Sequence, residues 1–157
     1  MRLLSVDPGI GGALTLKDTE RKTFEIKDVP VIKSKKRAEV NVAALGEWVY
    51  LMRPDKAIIE LVNTMPGQGV ATQGQFMRTT GMIIGTIGGM GVPWEEVHPA
   101  KWKRPLGLIG RDKEASRALA IKLYPSLATH LARKKDVDRA ESVLIGHWFI
   151  HHSNAFH

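Results

Sequence analysis

The stretch Leu3-Leu4-Ser5-Val6-Asp7-Pro8-Gly9-Ile10-Gly11-Gly12-Ala13-Leu14-Thr15-Leu16 decides the architecture. Its first four residues are β-compatible and apolar but for one serine, the pattern of a central strand covered on both faces. Asp7 closes the run. Pro8-Gly9 and Gly11-Gly12 then force a tight turn, and Ala13 to Leu16 begins a return strand. Beyond the polar segment Lys17 to Lys22, Thr23 to Lys27 alternates through Phe24 and Ile26. The opening therefore reads as a three-stranded antiparallel meander.

Working outward, Lys33-Ser34-Lys35-Lys36-Arg37 is a basic loop. Asn41 is placed to cap a helix running to about Met52, with Leu45, Trp48 and Val49 as its buried stripe. Pro54-Asp55 ends that helix, and Ala57 to Ile59 is a fourth apolar strand closed by Glu60. A loop from Asn63 to Gly69 leads to a second helix, Val70 to Met90, which carries Gly74, Gly81, Gly85, Gly88 and Gly89. Each interior glycine costs about 1 kcal/mol against alanine, so a smooth face is expected there, for packing on the sheet or on a second subunit. Pro93 to Val97 reads as a fifth strand. Lys101-Trp102-Lys103-Arg104 is a basic connection, followed by helices over Asp112 to Tyr124 and Val137 to about Ile150. The order β-β-β-α-β-α-β-α-α predicts an α/β fold. Its sheet is mixed and five-stranded, three strands antiparallel and two parallel, flanked by helices within one domain over residues 1–157.

Composition narrows the function. A formal charge of +7 on 157 residues favours a polyanionic partner, most simply nucleic acid. With no cysteine there is no disulfide framework and no thiolate metal site, as suits a reducing cytoplasm. Asp7-Pro8-Gly9 interrupts the start too early for a signal peptide. The longest apolar stretch, around Met82 to Trp94, is too short and Gly-rich to span a bilayer. A soluble cytoplasmic protein is expected, with no membrane and no small-molecule cofactor. Gly9, Gly11 and Gly12 lack both the spacing and the following helix of a nucleotide-binding turn.

Against that basic background, four carboxylates stand out. Asp7 and Glu60 end strands that can be neighbours in the sheet, where open α/β sheets carry sites. Asp138 and Glu141, three apart on the last helix, share a face. Two like charges ~4 Å apart repel by roughly 4 kcal/mol at an effective dielectric of about 20. Convergence of these groups therefore implies divalent cations facing phosphates. Asp112 and Asp136 read as caps or solvated acids. His147, His151, His152 and His157 have no paired acid or cysteine and read as a solvated tail, and Trp48 and Trp148 as core.

Ser5-Val6-Asp7-Pro8-Gly9, Ile59-Glu60 and Asp138-Arg139-Ala140-Glu141-Ser142-Val143-Leu144 resemble the RuvC-type Holliday junction resolvases of the RNase H-like superfamily. His98-Pro99-Ala100-Lys101-Trp102-Lys103 and Asp112-Lys113-Glu114 are similar to basic segments of that family. The resemblance implies that Asp7, Glu60, Asp138 and Glu141 hold two Mg²⁺ or Mn²⁺ ions. It also implies that Lys103 and Lys113 bind the phosphate and stabilise its developing charge, Lys113 as part of the catalytic set. Lys101, Trp102 and Arg104 join them as expected DNA contacts, Trp102 by stacking on a base or packing on a sugar, with core packing as its equal alternative. The implied activity is paired, symmetric nicking of four-way DNA junctions. Two opposed cuts imply a homodimer. A broader nuclease acting on flaps and forks, or a non-catalytic junction-binding module, would share the basic charge.

The chain departs from the cellular pattern twice. Glu141 stands where those enzymes usually carry Asp, and Asn63 stands where they tend to offer an aromatic wedge, leaving Met65 as an apolar substitute. Both departures look more like the phage-encoded branch, acting in a bacterial or phage-infected cytoplasm.

Overall fold

A computed structural model describes residues 1–35, 37–61, 67 and 69–153. Five strands form the main sheet: β1 (Arg2–Asp7), β2 (Ala13–Asp18), β3 (Thr23–Asp28), β6 (Lys56–Glu60) and β7 (Trp94–Val97), in the order β3-β2-β1-β6-β7. β1–β2 and β2–β3 are antiparallel; β1–β6 and β6–β7 are parallel. This is the mixed sheet expected from the sequence, with β1 at its centre.

Side-chain alternation divides the interior. Leu3 and Ile58 point into one core with α5 (Val137–His152), α4 (Lys113–Leu123) and α3 (Pro99–Lys103). Leu4, Val6, Ala57 and Ile59 point into the other, against α1 (Val42–Met52) and α2 (Val70–Gly89). Asp7 follows Leu3 and Ser5 in parity, and Glu60 follows Ile58, so both acids emerge on the α5 side. The parallel register pairs Val6 with Ile59, which sets Asp7 and Glu60 one residue further along adjacent strands.

Five short elements lie outside the expected order. The basic segment joins a two-stranded hairpin, β4 (Val31–Lys33) and β5 (Ala38–Val40), with the Ser34 amide donating to the Arg37 carbonyl at 2.9 Å. Glu39 on β5 pairs with Arg37 at 2.7 Å and with Arg78 of α2, so part of the basic charge holds the hairpin to the helix. The connection after β7 contains α3, started by Pro99 at its first position and by His98 Nδ1 accepting from the Ala100 amide. Short 3₁₀ turns at Pro125–Leu127 and Lys134–Asp136 lead into α5.

The small residues of α2 serve the sheet less than the sequence suggests. A methyl group at Gly74, Gly81, Gly85 or Gly89 would meet nothing within 4 Å, whereas Gly88 lies against the Trp94 indole. None of the helices is long and apolar enough to cross a membrane among the described residues.

Candidate active site

Two close approaches build the site. Gly12 folds back over the end of β1, and a Cβ there would sit 2.1 Å from the Asp7 carbonyl oxygen. Only glycine fits that turn, which holds the Asp7 backbone still. Gly146 brings α5 onto β1, and a Cβ there would stand 2.7 Å from Ser5 Oγ. Nearby, Thr15 Oγ1 and Ser142 Oγ share a 2.6 Å hydrogen bond, and Ser142 Oγ donates to the Arg139 carbonyl. At the rim, Arg139 forks onto Asp28 of β3 at 2.6 and 2.7 Å. The first turn of α5 is thereby held against the ends of the central strands.

Asp7, Asp138 and Glu141 converge there, each offering a carboxylate oxygen, all within 4.8 Å of one another. Glu60 stands beside them but outside that trio. Its Oε2 accepts a 3.0 Å hydrogen bond from the Trp102 indole nitrogen. Two lysines balance part of the charge: Lys103 Nζ lies 3.1 Å from Glu141 Oε1, and Lys113 Nζ lies 2.9 Å from Asp138 Oδ1. Ser116, one turn beyond Lys113 on α4, donates to Glu141 Oε1 at 3.1 Å.

The electrostatic consequence falls on Asp7. Burial, then the charges of Glu60, Asp138 and Glu141, push its carboxyl well above the usual carboxylate range, against a smaller opposing pull from Lys113. Glu60 is also raised, by burial first; Lys103 opposes and Glu141 adds to the rise. For Lys113, burial acts to lower the ammonium pKa. The hydrogen bond and charge of Asp138, with Glu141 and Asp7, outweigh it, and the net displacement is upward.

An all-oxygen donor set suits hard cations such as Mg²⁺ or Mn²⁺. Crowding that disfavours three or four simultaneous negative charges is what a divalent ion relieves, so the residues present fit such a group.

Two clefts meet at this point. One, of about 610 Å³, runs past the Gly9–Gly12 turn, Lys113 and Asp138. The other, of about 460 Å³, runs past Glu60, His98, Lys103 and Ile109. Asp7, Pro8 and Phe76 line both, and Phe76 is substantially exposed at 44%.

Not every residue singled out from the sequence arrives here. Trp102 is fully buried and offers no ring face to a base. Of its two readings the stacking one is thereby corrected and the core one holds, with the indole bonded to Glu60. Lys101 turns the other way, over the Trp148 ring at 5.7 Å, beside a smaller hollow lined by Glu95 and Glu96. Arg104 is exposed at the end of α3. Asn63 and Met65 lie outside the described residues.

Among the histidines, His147 is half-buried rather than part of a solvated tail, its Nδ1 2.7 Å from the Tyr124 hydroxyl, and His157 lies outside the described residues. Asp112 caps α4 by accepting from the Ala115 amide. Asp136 is buried at the start of α5 against Arg133. Ser116 and Phe76 were not legible as site residues. The serine's spacing of three from Lys113 is the one local signal that could have found it.

No protein-family model matches the chain. A 91-residue segment, 57% of this chain, is 35% identical to the chloroplastic Holliday junction resolvase MOC1 of Chlamydomonas reinhardtii. That segment is 10% of the relative, so the chain spans about a tenth of the length of the curated protein it matches. Among solved structures, Thermus thermophilus RuvC is similar with a TM-score of 0.61 and 16% identity over 96% of this chain and 95% of that one. Thermus thermophilus RuvC in complex with a Holliday junction substrate gives 0.59 at 15% identity, with the same coverage. The fowlpox virus Holliday junction resolvase gives 0.51 at 16% over 96% and 98%. The chain has the RuvC-type fold anticipated from its sequence.

Proposed function

We propose that residues 1–157 form a metal-dependent endonuclease domain that resolves four-way DNA junctions by paired hydrolysis of opposed phosphodiesters. The observation that carries this reading is the meeting of Asp7, Asp138 and Glu141 oxygens within 4.8 Å, with Glu60 alongside and two lysines in contact, on a RuvC-type fold. Sequence similarity to a named junction resolvase supports the same substrate, as does the fold shared with a protein solved on that substrate.

In this reading Asp7, Glu60, Asp138 and Glu141 hold Mg²⁺ or Mn²⁺, two ions per site. Bound there, the ions would supply Lewis acidity toward the scissile phosphate and lower the pKa of an attacking water. The chain's own groups do the rest. Asp7, lining both clefts, marks where a DNA strand crosses from one to the other. Lys113, with its side chain 64% exposed on the wall of the larger cleft, presents positive charge to a phosphate lying in it. Lys103 balances Glu141 and lines the second cleft. Phe76, exposed between the clefts, offers an apolar surface to a base beside the cut.

Two symmetric cuts require two such sites, so the working unit is a homodimer acting in a bacterial or phage-infected cytoplasm. The uncovered glycine face of α2 supports a second copy packing there. The test is cleavage of a synthetic immobile junction, a flap, a fork and a linear duplex in Mg²⁺ at equal salt, with both strands mapped. Paired nicks at symmetric positions of the junction alone are expected. Equal cutting of flaps and forks would convert the reading to a general branched-DNA nuclease, and absence of any cutting would remove the nuclease proposal.

A further inference from the structure

Glu60 differs from the other three acids in what holds it. Asp138 and Glu141 are each paired with a lysine ammonium. Among the described residues, Glu60 has one hydrogen-bond partner, the Trp102 indole. That indole is a donor only and is fully buried, packed with Ile58, Val97 and Trp148 in the α5-side core. A buried N–H keeps its acceptor, because no water can replace it. Oε2 of Glu60 is therefore tied to Trp102, and Oε1 has no hydrogen bond among the described residues.

The element that delivers Trp102 is α3, five residues long, started by His98 and Pro99. It sends two consecutive side chains to two different carboxylates, Trp102 to Glu60 and Lys103 to Glu141. The Lys103 ammonium also lies 5.0 Å from the Trp102 ring centre. A buried indole anchored in the core thus sets where the end of β6 presents its acid.

We propose that Trp102 is a positioning residue that fixes the orientation of the Glu60 carboxylate and so sets the affinity of the site for a divalent cation. The proposal rests on the metal-nuclease reading. It concerns the cation, and Trp102 never touches the DNA. Hydrogen-bond partners of metal ligands typically change metal affinity by about 10–100-fold when removed, so an effect of about tenfold is expected here.

The cleanest test replaces Trp102 with β-(3-benzothienyl)alanine, which keeps the bicyclic shape and exchanges the N–H for sulfur; Trp102→Phe is the simpler companion. Mn²⁺ binding is followed by titration calorimetry without DNA, folding by circular dichroism, and junction cleavage against Mg²⁺ concentration. About tenfold weaker Mn²⁺ binding is expected. The Mg²⁺ concentration for half-maximal cleavage should rise similarly, with the rate at saturating metal within about twofold of the parent. In a Glu60→Gln background the same replacement should leave Mn²⁺ binding unchanged, because the group it positions no longer ligates. A folded benzothienyl variant whose Mn²⁺ isotherm superposes on the parent's would overturn the proposal while leaving the nuclease reading intact. A parent protein that binds no Mn²⁺ would instead overturn both.

Discussion

Lys103 Nζ and Glu141 Oε1 lie 3.1 Å apart, with the carboxylate side chain 6% exposed and the lysine 25%. Glu141 is thus a nearly buried anion whose only other hydrogen bond among the described residues comes from the Ser116 hydroxyl. Removing one member of such a pair leaves the other desolvated and uncompensated. Lys103→Met should lower metal-free stability by roughly 2 kcal/mol in urea melts. Saturating Mg²⁺ should recover part of the loss, because a bound cation replaces the missing charge. A variant as stable as the parent in EDTA would show that Glu141 does not depend on Lys103.

Asp7 carries the opposite prediction. Its folded-state pKa is raised, by burial first and then by Glu60, Asp138 and Glu141. Its contribution to stability is therefore most favourable below the ordinary value of 3.8 and is lost as pH rises toward the folded value. Without metal, charging Asp7 therefore costs the fold stability. Asp7→Asn should raise the metal-free melting temperature at pH 7, retain junction binding, and cut cleavage by about 100-fold or more. A variant less stable than the parent in EDTA at pH 7 would contradict the crowding argument.

The His147 contact gives a pH effect far from the acids. Lys17 donates to the Tyr124 hydroxyl at 2.9 Å. A lysine can only donate, so the tyrosine passes its own proton toward His147 Nδ1, 2.7 Å away. That chain selects neutral His147 with its proton on Nε2. Burial, then the charges of His151, Lys17 and His152, lower its pKa to about 4 from 6.5. The unfolded chain therefore binds a proton first as pH falls. Stability from this residue is full above about 6.5, declines through the window down to about 4, and changes no further below it. His147→Gln should flatten that part of the stability–pH curve. An unchanged slope between pH 6.5 and 4 would exclude His147 as its source.

Gly146 makes the fourth prediction. With a Cβ only 2.7 Å from Ser5 Oγ, Gly146→Ala must push α5 from β1 or turn the serine aside. A cost of about 1–3 kcal/mol is expected from overpacking. Junction cleavage should fall at temperatures where the variant remains folded, since Asp138 and Glu141 ride on the same helix. Restoration by Ser5→Gly in the same chain would assign the loss to this contact; failure to restore would place it elsewhere.

The sheet was largely readable from local pattern. Leu3 to Val6, apolar but for Ser5, and the apolar run Ala57 to Ile59 read as strands because both faces of a central strand are covered, and the turn residues around Gly9 and Gly12 leave few other conformations. The β4–β5 hairpin was hidden because its strands are three residues each and the basic segment joining them reads as solvated loop. The helix α3 was hidden inside a charged connection, although His98-Pro99 is a helix-start signal. For Trp102 the sequence left stacking and core packing both open for a related reason: flanked by lysines it looks exposed, while the one-turn helix carries it into the core.

Local chemistry alone therefore determined which residues end the strands, which acids share a helical face, and that a basic chain keeps two carboxylates at strand ends and two at the start of its last helix. Periodicity and turn geometry are short-range properties, so they can be read in the linear chain. The pairing of Val6 with Ile59, the descent of α5 onto Ser5, and the grip of an indole on an acid 42 positions away were decided only in three dimensions. They depend on packing between segments distant in the chain, where the shape left by every other side chain selects which groups can touch.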